Sequence, residues 1–257
     1  MKYVVVLCEG MSDEPQDTLE GKTPLAYAKS SHMDTLARVS EVGMVHNIPK
    51  GVAPNSCSAM LSVLGYDPKV YSGLLNDDPD LKLEDFYTKT GKRAAVVSAD
   101  ENLKKITAAV NIDFIDVEGA TGNMNTNFAG KKDAAISALF ENDKDMVIVH
   151  IKGIDEVSRT KDVEKKVQAI ESVDAYLVGP LVEEIQCRDI EFRFLVMPPF
   201  PTYIRMGDSM ADAVPYMLYD SGIEVVGCNA YSEKLAKDTG NYFDEGYLLI
   251  NHLLEDN

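Results

Sequence analysis

The 257-residue chain is short of positive charge: 25 lysines and arginines stand against 42 aspartates and glutamates, a net charge of −17 and a pI near 4.6. Such a surface repels phosphate backbones and anionic lipid, which argues against nucleic-acid and membrane partners. Small anionic ligands stay open, because a pocket can be locally positive on a negative protein. No apolar run approaches the roughly 18–20 residues of a membrane span. Residues 1–8 are too short for a secretion signal and pass into Glu9-Gly10 without a small-residue cleavage site. Only four cysteines occur (Cys8, Cys57, Cys187 and Cys228), scattered and without a CxxC pair. They read as reduced thiols of a soluble cytoplasmic protein, not as a disulfide framework or a structural zinc site. Repeats and low-complexity tracts are absent. What remains is an ordinary globular composition, 45% hydrophobic and 26% charged, with enough chain to bury a sizeable core.

Strand and helix patterns alternate. Residues 3–8 (YVVVLC) form a continuous apolar run, as in a strand covered on both faces of a parallel sheet. Residues 93–98, 145–151, 192–197 and 223–227 read as further strands. Residues 23–39 carry apolar positions at helical spacing, with Pro24 where a first turn tolerates it. Amphipathic segments follow at 130–141, 161–186 and 211–219. This rhythm predicts a three-layer α/β/α sandwich with a mostly parallel sheet. The polar stretch 72–90 reads as a surface excursion. Within it, Asn76, Asp77, Asp78, Pro79 and Asp80 read as solvated surface. Ligands in open α/β sheets sit beyond the carboxyl ends of strands, so the residues just after each run are the ones to inspect.

Six segments carry a resemblance: GKTPLAYAKSSHMDTLARVSEVG (21–43), NSCSAMLSVLGYDP (55–68), EGATGNMNTNFAGKKDAA (118–135), VHIKGIDE (149–156), IESVDAYLVGPL (170–181) and MADAVPYMLY (210–219). In this order they resemble the cofactor-independent phosphoglycerate mutases of the archaeal type, within the alkaline phosphatase superfamily. The resemblance implies an alkaline phosphatase-like core. The family's inserted second domain is missing, since only about 25 residues separate Pro68 from the resumption of the core near Arg93. A single domain over 1–257 is expected, with 69–91 as a remnant of the insertion or a surface excursion. Apolar surface once covered by the insertion would then be exposed, which predicts a homodimer.

The resemblance also implies two divalent ions that activate a serine nucleophile and neutralise the transferring phosphoryl group. Ser56 stands at the nucleophile position, Glu9 at a first-strand metal ligand and Asp155 at another. Arg159, Pro199, Phe200 and Ser209 stand where four further ligands would fall. Arginine is a permanent cation that repels divalent ions, and Pro and Phe offer no side-chain donor. Cys57 and Met60 replace an Asp and an Asn of the nucleophile loop, and residues 72–76 replace a phosphate-gripping Arg.

A vestigial nucleophile at Ser56 therefore competes with a loop serine or helix cap, and the latter is favoured. Glu9 and Asp155 could hold at most one Mg²⁺ or Mn²⁺ ion; alternatively one or both pair with Arg159. The i, i+4 spacing of Asp155 and Arg159 favours the ion pair, and no cofactor is expected. Cys8 and Cys57 as a soft-metal or redox pair weigh less than two small buried thiols. His150 reads as a satisfied core histidine, and Gly119–Gly122 lacks the Lys and Ser/Thr of a phosphate loop. The sequence thus predicts a non-catalytic or altered-function relative that binds a small anionic ligand, through Arg159, Asn55 and Cys57, or a protein partner. The alternative is an active metal-dependent phosphoglycerate mutase, phosphotransferase or phosphatase with a rebuilt site.

Overall fold

The computed structural model describes residues 1–78 and 80–255. Eight strands form one sheet: β1 (Lys2–Cys8), β2 (Glu41–Val45), β3 (Ala94–Val97), β4 (Asp113–Ile115), β5 (Met146–Ile151), β6 (Phe192–Met197), β9 (Val214–Asp220) and β10 (Tyr242–Phe243). Their spatial order is β10-β2-β9-β6-β1-β5-β3-β4, and a small hairpin of β7 (Thr202–Tyr203) and β8 (Asp208–Ser209) stands apart. Every pairing in the large sheet is parallel except those of β9 with β2 and β6. The expected mostly parallel sheet is thus present.

The period-2 alternation of strand side chains builds a core on each face. On β1, Val4, Val6 and Cys8 enter one core, with the helices Ser31–Ala37, Phe128–Phe140 and Val163–Val173. Tyr3, Val5 and Leu7 enter the other, with the helices Ser56–Val63, Leu103–Ala109 and Leu249–Leu254. Both faces being covered is why these strands are apolar throughout.

Four expectations need correction. Residues 223–227 form no strand: Val226 is fully exposed, and the backbone N–H of Gly227 instead donates to Arg38 O at the end of the helix Ser31–Ala37. Residues 211–219 are not a helix but run into β9, where Val214, Tyr216 and Leu218 face one core and Met217 the other. Pro215 would break a helix interior. The stretch 72–90 is no mere excursion. It lies within the helices Pro68–Asp77 and Phe86–Thr90 and the chain between them, anchored by Leu75 and Phe86, 1% and 0% exposed. Asn76, Asp77, Asp78 and Asp80 are exposed as expected, and Pro79 lies outside the described residues. The helix expected over 23–39 is two helices, Pro24–Tyr27 and Ser31–Ala37, parted where Ala28 adopts an extended ψ of 145°.

Candidate functional site

β1, β5 and β3 lie side by side, so their carboxyl ends bring Glu9, His150, Ser98 and Lys152 together. Glu9 and His150 are each 1% exposed. His150 Nε2 lies 2.8 Å from Glu9 Oε1, and its Nδ1 lies 2.8 Å from Ser98 Oγ. A carboxylate only accepts, so the imidazole carries a proton on Nε2, and in the neutral ring the Ser98 hydroxyl donates to Nδ1. Ser98 Oγ in turn accepts from the Asp100 backbone N–H at 2.9 Å. His150 is the satisfied core histidine expected from its place in an apolar strand, and its partner is Glu9. Arg159 does not reach Glu9; it pairs with Asp155 and Asp208.

Asp155, 3% exposed, lies in the short helix Gly153–Arg159. Its Oδ2 accepts from Arg159 Nε at 3.0 Å. Its Oδ1 accepts from Arg159 Nη2 at 3.2 Å, Thr202 Oγ1 at 2.5 Å and Ser209 Oγ at 3.1 Å. Arg159 Nη2 also donates to Ser209 Oγ at 2.6 Å. The ion pair favoured by i, i+4 spacing is formed, in the bidentate geometry that suits guanidinium and carboxylate. Gly10 admits this arrangement: at φ +75° it brings the chain after β1 so close that a Cβ would lie 2.6 Å from Asp155 Cα.

A second cation lies deeper. Lys166 and Asp13 have fully buried side chains 2.7 Å apart. Lys166 Nζ also donates to Ser12 O at 3.2 Å and Thr202 O at 2.8 Å, which uses all three of its protons. Burial pulls the Lys166 ammonium down, against the opposing charge and hydrogen bond of Asp13. Beside it, Glu233 accepts from Thr23 Oγ1, Ser12 Oγ and Asp13 N, while burial pushes its carboxyl up. Sequence reasoning passed over Asp13 and Lys166, because their 153-residue separation carries no local signal.

Ser56 opens the helix Ser56–Val63, and the cap is its neighbour Asn55. Asn55 Oδ1 accepts from Cys57 N and Ser58 N, each at 3.0 Å, and Ser58 Oγ accepts from Asn55 N at 3.2 Å. Asn55, expected as a ligand contact, thus has its Oδ1 engaged in a capping box. Ser56 faces Asp100. Burial tends to raise the Asp100 carboxyl, but hydrogen bonds from Asn102, Lys152 and Ser56 and the charge of Lys152 hold it below its ordinary value. Lys152 Nζ donates to Asp100 Oδ2 at 3.2 Å. Asp100 was missed because it lies three residues past β3, in a segment with no motif. Cys57 Sγ contacts Asn102 O at 3.6 Å and packs against the core opposite the one that holds Cys8. The two thiols are on different faces of the sheet and do not pair. Burial pushes Cys8 up to about 12, and Cys57 upward too.

Phe200 is 1% exposed and packs on Ile48 and Ala59, while Pro199 O accepts from Asn47 Nδ2 at 2.9 Å. Among the described residues, no three His, Cys, Asp or Glu side chains converge as metal ligands. Glu9 is held by His150, Asp155 by Arg159, Asp13 by Lys166 and Asp100 by Lys152. Each carboxylate therefore already has a partner from the chain, and this donor set does not fit a pair of divalent ions.

Residues 1–245 match the family model of the metalloenzyme superfamily. The chain is 25% identical to the 2,3-bisphosphoglycerate-independent phosphoglycerate mutase of Methanothrix thermoacetophila, across 99% of this chain and 100% of that protein. It is 33% identical to a protein of the same name from Methanocaldococcus jannaschii over 68% of this chain and 41% of the relative. Among solved structures, the PH0037 protein from Pyrococcus horikoshii is similar with a TM-score of 0.85 at 21% identity, covering 100% of this chain and 98% of that one. The cofactor-independent phosphoglycerate mutase from Thermoplasma acidophilum superposes with a TM-score of 0.70 at 15% identity, covering 99% of both chains. The fold is alkaline phosphatase-like.

Proposed function

The chain belongs to the metalloenzyme superfamily, and we propose that it is a relative without two-metal phosphoryl transfer that binds a small anionic ligand beside Ser56 and Lys152. The observation that carries the reading is the commitment of Asp155, whose two oxygens accept from Arg159, Thr202 and Ser209. A divalent ion at Asp155 would meet a guanidinium that cannot lose its proton. Ser56 lacks an activating group as well: Asp100, held in its charged form, is a weak base near neutral pH. Lys152 spends one donor on Asp100 and keeps others for an anion.

The relatives named above carry the name phosphoglycerate mutase, and the chain's likeness to them supports a site descended from phosphoester chemistry. The alignment with the Methanothrix protein spans 392 positions against 257 residues here. That difference supports a single alkaline phosphatase-like domain lacking an inserted one. Val70 and Leu74, 51% and 49% exposed on the helix Pro68–Asp77, support the homodimer expected from that loss. Light scattering at micromolar concentration would read a monomer if the expectation fails.

The decisive experiment combines elemental analysis of the purified protein, turnover of 3-phosphoglycerate with Mn²⁺ or Mg²⁺, and calorimetric binding of 3-phosphoglycerate. The expected result is no stoichiometric metal, no turnover, and binding that Lys152→Ala weakens. Turnover abolished by Ser56→Ala, or two bound ions per chain, would replace this reading with that of an active phosphotransferase.

A further inference from the structure

A groove of about 220 Å³ lies away from the strand ends, between the helices Ser31–Ala37 and Gly179–Gln186 and against Tyr219 of β9. We propose that it is a binding site for a small organic ammonium ion with an apolar body. The floor is apolar, made by Leu36, Val182 and Tyr219. Two polar groups converge above it, His32 Nε2 and Glu183 Oε1, 3.9 Å apart.

The histidine is built in. One turn of π-helix, Asp174–Val178, joins the helices Val163–Val173 and Gly179–Gln186, and such turns recur at functional sites. Asp174, 2% exposed, accepts from His32 Nδ1 at 3.0 Å, His32 N at 3.1 Å and Met33 N at 2.7 Å. In the neutral imidazole that bond places the proton on Nδ1 and leaves the lone pair on Nε2, the ring atom nearest Glu183. The ring rests on Gly179, where a Cβ would lie 2.5 Å from His32 Cδ2. A buried carboxylate fixing one nitrogen while the other faces a cavity is how proteins preorganise a histidine for a ligand.

The ligand class follows from the acceptors. Nε2 and the Glu183 carboxylate both want a donor, and Glu183 adds negative charge on a protein of net charge −17. An ammonium group supplies donors and the opposite charge together. The apolar floor takes a ring or short alkyl body, and the volume limits the guest to a small molecule.

Titration with benzylamine followed by backbone amide NMR tests the site, with benzyl alcohol and benzoate as comparators. Saturable shifts confined to residues around Gly179 and Val182 are expected with benzylamine, and weaker ones with benzyl alcohol. Glu183→Gln should weaken benzylamine about two- to fivefold, the range of an exposed ion pair. His32→Gln should weaken it more, and a far-UV spectrum like that of the parent would show that the fold is kept. Absence of benzylamine shifts at millimolar concentration, shifts unchanged in both variants, or benzoate binding as tightly as benzylamine would each overturn the proposal.

Discussion

Removing Arg159 tests the claim that a side chain of the protein supplies the positive charge at Asp155. In Arg159→Ala the Asp155 side chain, 4% exposed, loses both guanidinium contacts and keeps the hydroxyls of Thr202 and Ser209. Breaking a fully buried pair costs about 3–5 kcal/mol, and an exposed pair about 0–1. The Arg159 side chain is 41% exposed, and two hydrogen bonds survive, so about 2 kcal/mol is expected. For a chain of this size that is a fall of about 4–8 °C in Tm. Asp155→Asn in the same background should recover part of the loss, with a coupling of about 1–2 kcal/mol in the double-mutant cycle. Urea unfolding of the four proteins measures the cycle, and thermal scans in chelator and in Mn²⁺ accompany it. The parent is expected to melt at the same temperature in both. A parent that loses several degrees on chelation, or an Arg159→Ala variant as stable as the parent, would refute the reasoning.

Three further outcomes are expected. Lys166→Met leaves Asp13 buried and unpaired, and should cost about 3–5 kcal/mol by urea unfolding; a loss under about 1 kcal/mol would show that Asp13 takes up a proton or water at little cost. Cys187 is exposed whereas Cys8 is buried and pushed up to about 12, so a thiol reagent should modify Cys187 first and Cys8 only after unfolding; a fast phase lost in Cys8→Ser contradicts this. The hydrogen bond between His252 and Glu41 raises the histidine above 6.5 and lowers the carboxyl below 4.5. The raised histidine stabilises below 6.5 and loses that as pH rises through its folded value; the lowered carboxyl stabilises above 4.5 and loses that as pH falls through its own. The stability lost in Glu41→Gln should therefore be greatest between these values, be about 1 kcal/mol or less because both groups are a third exposed, and shrink on either side. A difference that keeps growing toward alkaline pH would reverse the sign.

Much of the scaffold was legible along the chain. The apolar runs that became β1, β3, β5 and β6 need only local pattern, because a strand buried on both faces must be apolar throughout. The pairing of Asp155 with Arg159 was legible for the same reason, since one helical turn separates them. Failures came where tertiary partners override local pattern. Residues 223–227 have strand-forming side chains but no neighbouring strand to bond among the described residues, and 211–219 has helical spacing with Pro215 inside it. The break at residues 28–30 admits a second helix whose first amides bond to Asp174, 141 and 142 residues away.

What the sequence by itself determined is the alternation of elements and the family's segments, because each is a matter of residue type and short spacing. What only the tertiary structure decided is which charge answers which: Glu9 with His150, Asp13 with Lys166, Asp100 with Lys152, and His32 with the carboxylate of a distant π-turn. Those pairings join residues 52 to 153 positions apart. Buried charges must find partners in space to offset their desolvation, and periodicity along the chain carries no record of that requirement.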